Sequence, residues 1–195
     1  IFIIANYASI TGKQSGERFA YLAELFAQKG HKVTLFTSSF SHRSKKQRDD
    51  EEFNKINNKY KIRLIKEPGY RKHLSLKRLI SIRIFGSNLQ AELINLKEVP
   101  DMIYFSFPTF SSAQVATQFA RKNKIPAIID IVDIWPEALL SVLKIPMPIF
   151  KLLFLRYTIK ANTIYKAANT IIGVSETYVD RATKVNSKAP SLAVF

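Results

Sequence analysis

The sequence predicts an α/β domain built on a doubly wound, Rossmann-like parallel sheet over residues 1–195, and two observations carry the prediction. Short apolar runs rich in β-branched residues alternate with stretches of helical periodicity from the first residue onward. Turn residues stand between them: Gly30 follows the first helical stretch, and Pro100 and Pro126 each precede an apolar run.

The elements follow in order. IFIIA is the first strand, of the kind buried on both faces. After the turn-rich NYASITGKQSG, residues Glu17 to Lys29 place Phe19, Leu22, Ala23, Leu25 and Phe26 on one helical face. Gly30 ends that helix and KVTLFT is the second strand, so the three elements form a parallel unit with a right-handed crossover. The polar run from Ser38 to Asn58 has few apolar anchors and is expected to be a mobile loop. YKIRLIKE alternates as a third strand, and Leu74 to Leu96 reads as a helix interrupted by Gly-Ser at Gly86. DMIYFSF is a strand, Ser111 to Lys122 a helix and IIDIV a fifth strand. KIPMP then precedes a long helix from about Ile149 to Ala168, NTIIGVS is the sixth strand, and a short helix starts at Glu176. On the long helix Lys151, Arg156, Lys160 and Lys166 do not keep to one stripe, which favours a core helix with snorkelling basic side chains. Met147, Pro148 and Phe150 leave a membrane-facing patch open as the alternative.

Composition limits what this domain can do. With 47% hydrophobic and 23% charged residues the chain has the balance of a globular protein, so global disorder is excluded. Cysteine is absent, which removes thiolate chemistry and Cys-based zinc sites, and three scattered histidines suggest no metal cage. The net charge of +15 is uneven: residues 42 to 83 hold fourteen Lys and Arg against five Asp and Glu. A field of one sign implies anionic partners, among them an anionic membrane leaflet, nucleic acid or phosphorylated substrates. No signal peptide is visible, and no window reaches the roughly 18 uninterrupted apolar residues of a spanning helix. The chain starts at Ile1 and stops inside the apolar run SLAVF, and it reads as a piece of a longer protein.

The richest segment for chemistry is IIDIVDIWPEAL, residues 128 to 139. It delivers Asp133, Trp135 and Glu137 to the carboxyl end of a strand, the edge where open α/β sheets bind ligands. A carboxylate beside an aromatic ring and a second acid suits acceptor binding or proton handling. The alternative is that Asp133 caps a helix beginning near Pro136 and Trp135 only packs. Asp130 is expected to be buried and hydrogen-bonded. In the first turn, Gly12, Gly16 and Arg18 precede or open a helix whose free N–H groups suit a phosphate. The spacing there matches neither the dinucleotide fingerprint nor the P-loop, which disfavours a nicotinamide dehydrogenase, an epimerase or an ATPase. Past the second strand, His42, Arg43, Lys45, Lys46 and Arg48 suit an anionic head group or phosphate, whereas His31 at a strand start is structural.

The run GERFAYLAELFAQKGHKVTLFTSSFSH, the DIWPE segment and the IIGVSE strand together resemble the amino-terminal domain of GT-B family 4 glycosyltransferases, most nearly the N-acetylfucosaminyl-type enzymes of bacterial surface polysaccharide assembly. The resemblance implies a two-domain enzyme of which this chain is the acceptor-binding half, the donor-binding half lying outside it. It implies retaining, metal-independent hexosyl transfer without a cofactor, from a nucleotide sugar, expected to be a UDP-sugar, to a lipid-linked or saccharide acceptor. Such an enzyme works in the cytoplasm at the inner face of the membrane, with no nucleic-acid partner, and the isolated half is expected to be inactive. By the same resemblance Asp133 handles the proton; Gly12, Gly16 and Arg18 approach the donor phosphates; His42, Lys46, Arg48, Trp135 and Glu137 serve the acceptor; and Glu176 lines the interdomain cleft. The chain departs from the family pattern in lacking an adjacent glycine pair near Gly12 and in carrying Val132 where many relatives have a basic residue. The rival reading is a non-catalytic basic module that binds anionic membranes or nucleic acid.

Overall fold

A computed structural model describes residues 1–9, 17–48, 59–72 and 75–194. Seven parallel strands form one sheet in the order β3-β2-β1-β4-β5-β6-β7, flanked by helices, as the Rossmann-like reading requires. The chain groups into two compact units, Ile1–Tyr104 and Phe105–Phe195.

In the first unit β1 (Phe2–Ile4), β2 (Thr34–Ser38) and β3 (Lys61–Ile65) pair in parallel, with Ile3 opposite Leu35 and Leu35 opposite Ile62. Every residue of β1 and β2 is buried, as continuous apolar runs demand, while β3 at the sheet edge is exposed at Lys61. Helix α1 (Arg18–Gln28) stops at Gly30. Gly30, at φ 87°, bonds through its N–H to Ala27 O and His31 to Phe26 O, the paired bonds of a Schellman ending. Helix α2 (Leu76–Asn95) starts at Ser75, whose hydroxyl accepts the Arg78 N–H at 3.2 Å. The expected break at Gly86 does not occur. Phe85, Leu89 and Leu93 bury one face on both sides of it, and that packing outweighs the glycine's low propensity.

The expected mobile loop after β2 is in part ordered. Phe40 bridges Gln47, and a turn closes through Ser41 N–H to Lys46 O at 2.8 Å. Residues 49–58 lie outside the described residues.

β4 (Ile103–Phe107) crosses the division between the units. The second unit holds α3 (Phe110–Asn123), β5 (Ala127–Ile131), a 3-10 turn (Glu137–Leu139), α4 (Leu140–Leu143), α5 (Met147–Ala167), β6 (Thr170–Gly173), α6 (Glu176–Thr183) and β7 (Ser191–Ala193). Its core gathers Phe105, Phe107, Ile129, Ile131, Ile164, Tyr165 and Ile171, with the Phe107 and Tyr165 rings 5.1 Å apart. β7 adds a seventh strand to the six expected, pairing Ile171 with Ser191. Three residues, two of them exposed, carry too little pattern to be read as a strand.

Helix α5 corrects the sequence reading. Only Phe150, Ala161, Ile164 and Tyr165 are buried, whereas Leu152, Leu153 and Ile159 are 76%, 63% and 55% exposed. The core-helix expectation therefore holds for one face only, because aliphatic residues share the other face with Lys151, Arg156, Lys160 and Lys166.

Candidate functional site

In the second unit the site grows out of β5. Ile129, Asp130 and Ile131 are fully buried, as expected for Asp130. The Val132 N–H extends the ladder by bonding Phe107 O, and the chain then turns away. Asp133 stands at that turn, half-buried, with both carboxylate oxygens engaged. Oδ1 accepts the Ile134 N–H at 2.9 Å and Oδ2 accepts the Trp135 indole N–H at 3.0 Å. The carboxylate is thus held against the indole, and it caps nothing: the helical turn behind Pro136 has no side-chain cap. Trp135 does more than pack, because its ring nitrogen orients the acid.

Two residues further, Glu137 Oε1 accepts from Arg181 Nε at 2.5 Å, across 44 positions of sequence. Its other oxygen, Oε2, is buried and makes no hydrogen bond among the described residues. The Arg181 guanidinium lies 5.3 Å from the centre of the Tyr165 ring. Burial pushes the Tyr165 hydroxyl pKa up, Arg181 opposes the rise, and the carboxylates of Glu137 and Asp133 add to it. These four side chains therefore share one electrostatic neighbourhood. It offers a fixed carboxylate beside an aromatic ring, with a buried carboxylate oxygen that has no partner among the described residues.

The sequence singled out Asp133, Trp135 and Glu137 as candidates and did not point to Arg181 or Tyr165, which lie beside them. Arg181, near the end of an eight-residue helix, reads from sequence as dipole compensation. Tyr165 is hidden in an apolar helix. Glu176 opens α6 in an exposed position, and it is Arg181 of that helix that reaches Glu137.

In the first unit a second polar assembly forms where β2 and β3 end. Glu67, 5% exposed, accepts Ser38 Oγ on one oxygen and Ser81 Oγ on the other, the latter at 2.5 Å. Ser81 in turn accepts the Gly69 N–H at 2.8 Å, so one carboxylate joins β2, the chain after β3 and α2. Gly69 has φ 80°, and a Cβ there would lie 2.3 Å from the Phe40 ring. Arg48 donates to Ser38 O at 3.2 Å; burial lowers its pKa, and Glu17 and Glu67 counter that. Arg48 also lines a pocket of about 290 Å³ with Ser39, Gln47, Leu64, Lys66 and Glu67.

Beside it, His42 Nδ1 is hydrogen-bonded to the Tyr70 hydroxyl, and the His42 ring lies 4.7 Å from that of Tyr7. Lys45 Nζ sits 4.7 Å above the Tyr70 ring and the Arg78 guanidinium 5.7 Å from it, a cation–π arrangement. Burial raises the Tyr70 pKa, with Tyr7 adding and Arg78 opposing; burial and then Arg78 lower that of Lys45.

His42 and Arg48 thus belong to built structure, while Lys46 is exposed and contributes only its carbonyl to the turn. Arg18 is half-buried in the first turn of α1, which holds no acidic residue. Glu17, just ahead of it, accepts the Ser9 N–H at 2.5 Å. Gly12 and Gly16 lie outside the described residues. Glu67, Tyr7, Tyr70 and Arg78 were not foreseen. EPGY stands at the carboxyl end of β3, and treating every strand's carboxyl end as a site edge would have flagged it. Among the described residues no group of three or more His, Asp or Glu side chains could hold a metal ion.

No protein-family model matches the chain, and no curated protein matches it. Solved structures do. A UGT transferase from Siraitia grosvenorii in complex with UDP aligns with all of this chain and 50% of its own, at 11% identity and a TM-score of 0.56. TcCGT1 in complex with UDP aligns over the same shares at 12% identity and a TM-score of 0.60. HepE from Anabaena, in complex with UDP-glucose, aligns with all of this chain and 43% of its own, at 10% identity and a TM-score of 0.50. The chain spans about half the length of these proteins. It has the fold of that half, a GT-B-like Rossmann domain.

Proposed function

We propose that this chain is the acceptor-binding half of a glycosyltransferase that moves a sugar from a nucleotide donor, a UDP-sugar, to a lipid-linked or saccharide acceptor. The observation that carries the reading is the Asp133 carboxylate, fixed by the Ile134 N–H and the Trp135 indole at the carboxyl end of a buried parallel strand. It stands in a domain whose fold is half that of the UDP-bound transferases above.

In this reading Asp133 handles the proton of the attacking acceptor hydroxyl, and the Trp135 ring offers its face to the acceptor sugar. Glu137, oriented by Arg181, contributes to the acceptor site. His42, Lys46 and Arg48 serve anionic groups of the acceptor, Gly12, Gly16 and Arg18 the donor phosphates, and Glu176 the cleft facing the donor half. The resemblance to N-acetylfucosaminyl-type enzymes favours retaining hexosyl transfer without a metal, in bacterial capsule or O-antigen assembly at the cytoplasmic face of the membrane. The half alone would then lack turnover.

The test is to incubate the full-length protein with a panel of UDP-sugars and lipid-linked acceptors and to read products by mass spectrometry. Transfer from at least one donor supports the proposal. Neither transfer nor donor hydrolysis across the panel overturns it, and salt-sensitive binding to any polyanion in the same material would favour the basic-module reading.

A further inference from the structure

The turn after β2 holds one of its cations in an unusual way. Lys45 has φ 57°, in the left-handed region, and its N–H is tied to Ser41 O at 2.8 Å. Lys124 and Lys144 share that conformation, but each stands at a helix end, where it is common; Lys45 stands in a turn between strands. Its side chain lies over the Tyr70 ring, with Nζ 4.7 Å from the ring centre, shut from solvent and without a hydrogen-bond partner. A second cation reaches the same ring from α2: the Arg78 guanidinium lies 5.7 Å from the centre of Tyr70 and 5.9 Å from that of Tyr7. Arg78 belongs to the first turn of α2, which holds no acidic residue and whose dipole already presents positive charge. The carboxylate that could balance Lys45 is engaged elsewhere, since Glu67 commits its two oxygens to Ser38 and Ser81. Residues 38–48 and 68–91, the segments that bring in Lys45, Tyr70 and Arg78, contain no Asp or Glu.

We infer that Lys45 and Arg78, over the rings of Tyr70 and Tyr7, form a seat for the phosphoryl group of a small ligand. Bringing like charges together and drawing one of them out of water is costly, and an anion between them offsets both costs. Charge decides the kind of anion: a phosphate monoester carries about −1.5 to −2 at neutral pH, which matches two cations, whereas a carboxylate matches one. The arginine fork takes two phosphate oxygens and the lysine ammonium a third. Because Lys45 Nζ has no hydrogen bond to give up, its flexible stem can swing onto an entering oxygen without loss of bonding. His42, hydrogen-bonded to Tyr70 and 4.7 Å from the Tyr7 ring, keeps the two rings in place. The seat stands on the geometry of the first unit and goes beyond the transferase reading, which put anionic groups on His42, Lys46 and Arg48. Its readout needs no transfer, so the two can fail separately.

The experiment is isothermal titration of the full-length protein with inorganic phosphate, with sodium acetate at equal ionic strength as the carboxylate probe. Phosphate should bind, and acetate should bind at least about tenfold more weakly. Lys45→Gly removes the ammonium yet suits the left-handed backbone, so it keeps the fold and should weaken phosphate binding by about tenfold or more. Arg78→Gln should do the same, whereas Lys72→Gln with Lys77→Gln, two exposed cations nearby, should change binding by less than about threefold. If Arg78→Gln disturbs the melting curve, Arg78→Lys keeps the charge, loses the fork and should still weaken binding. Glucose 1-phosphate, with glucose as its blank, reads the source of the group. Binding tighter than that of phosphate, and lost in Lys45→Gly, supports a phosphorylated sugar in the seat; equal affinity supports free phosphate. Four results would overturn the inference: no phosphate binding by the unaltered protein, acetate binding as tightly as phosphate, phosphate binding untouched by Lys45→Gly, or equal losses from the Lys72 and Lys77 changes.

Discussion

The turn after β5 and the assembly at the ends of β2 and β3 solve one problem, holding a carboxylate at the ligand edge of a parallel sheet, in opposite ways. Asp133 finds both partners within two residues, the Ile134 N–H and the Trp135 indole. Glu67 finds its partners 29 and 14 positions away, at Ser38 and Ser81. Asp133 remains half-buried, whereas Glu67 is almost wholly enclosed. Local bonding orients a carboxylate without enclosing it. Distant bonding uses both oxygens to join three elements, which suits support. Arg48 and Tyr70 lie near Glu67, and His42 is hydrogen-bonded to Tyr70.

Four measurements would break or sharpen this contrast. The largest effect is expected at Gly69→Ala, since the added Cβ meets the Phe40 ring at a positive φ, and urea unfolding should register a loss of about 3 kcal/mol or more. Glu67→Ala should cost about 3 kcal/mol by leaving the Ser38 and Ser81 hydroxyls buried without their acceptor; a loss near zero would end its supporting role. Asp133→Asn should behave differently: on the proposed function it lowers transfer by the full-length protein about a hundredfold while the melting temperature stays nearly constant. Unchanged turnover with a lowered melting temperature would make Asp133 structural as well and erase the contrast. Arg181→Met should cost about 1–2 kcal/mol, because it strands the poorly exposed Glu137 carboxylate.

The surface pairs supply the lower bound. Hydrogen bonds from Lys59 and Lys32 hold Glu24 and Glu98 below the usual carboxylate range. A carboxyl depressed on folding stabilises above its unfolded pKa of about 4.3, and that contribution is lost as the pH falls through the folded value. Glu24→Gln should therefore lower stability slightly at neutral pH and make the acid limb of the pH–stability curve shallower.

How far the sequence could be read depended on the range of the interactions involved. Six of the seven strands, the Schellman ending at Gly30 and the DIWPE turn were legible because each is specified by neighbouring residues. Asp133 and Trp135 lie two apart, and the strand's buried run says which edge they occupy. Arg181 was not legible, since nothing near it in the chain announces a partner 44 residues earlier. Glu67 was passed over for the same reason, although its EPGY turn stands at a strand end.

Helix α5 marks the boundary most clearly. Its length, its freedom from acidic residues and its scattered cations were all in the sequence, yet the expectation of a core helix held for one face only. Periodicity names a buried face clearly only when polar residues alone mark the other, and the exposed face of α5 mixes cations with leucines and isoleucines. The sequence by itself determined the α/β alternation and the local geometry around Asp133, which depend on backbone propensity and contacts a few residues long. Only tertiary structure decided which side of α5 packs, which arginine meets Glu137 and which serines meet Glu67, because those outcomes depend on elements brought together across the chain by burial of a shared core.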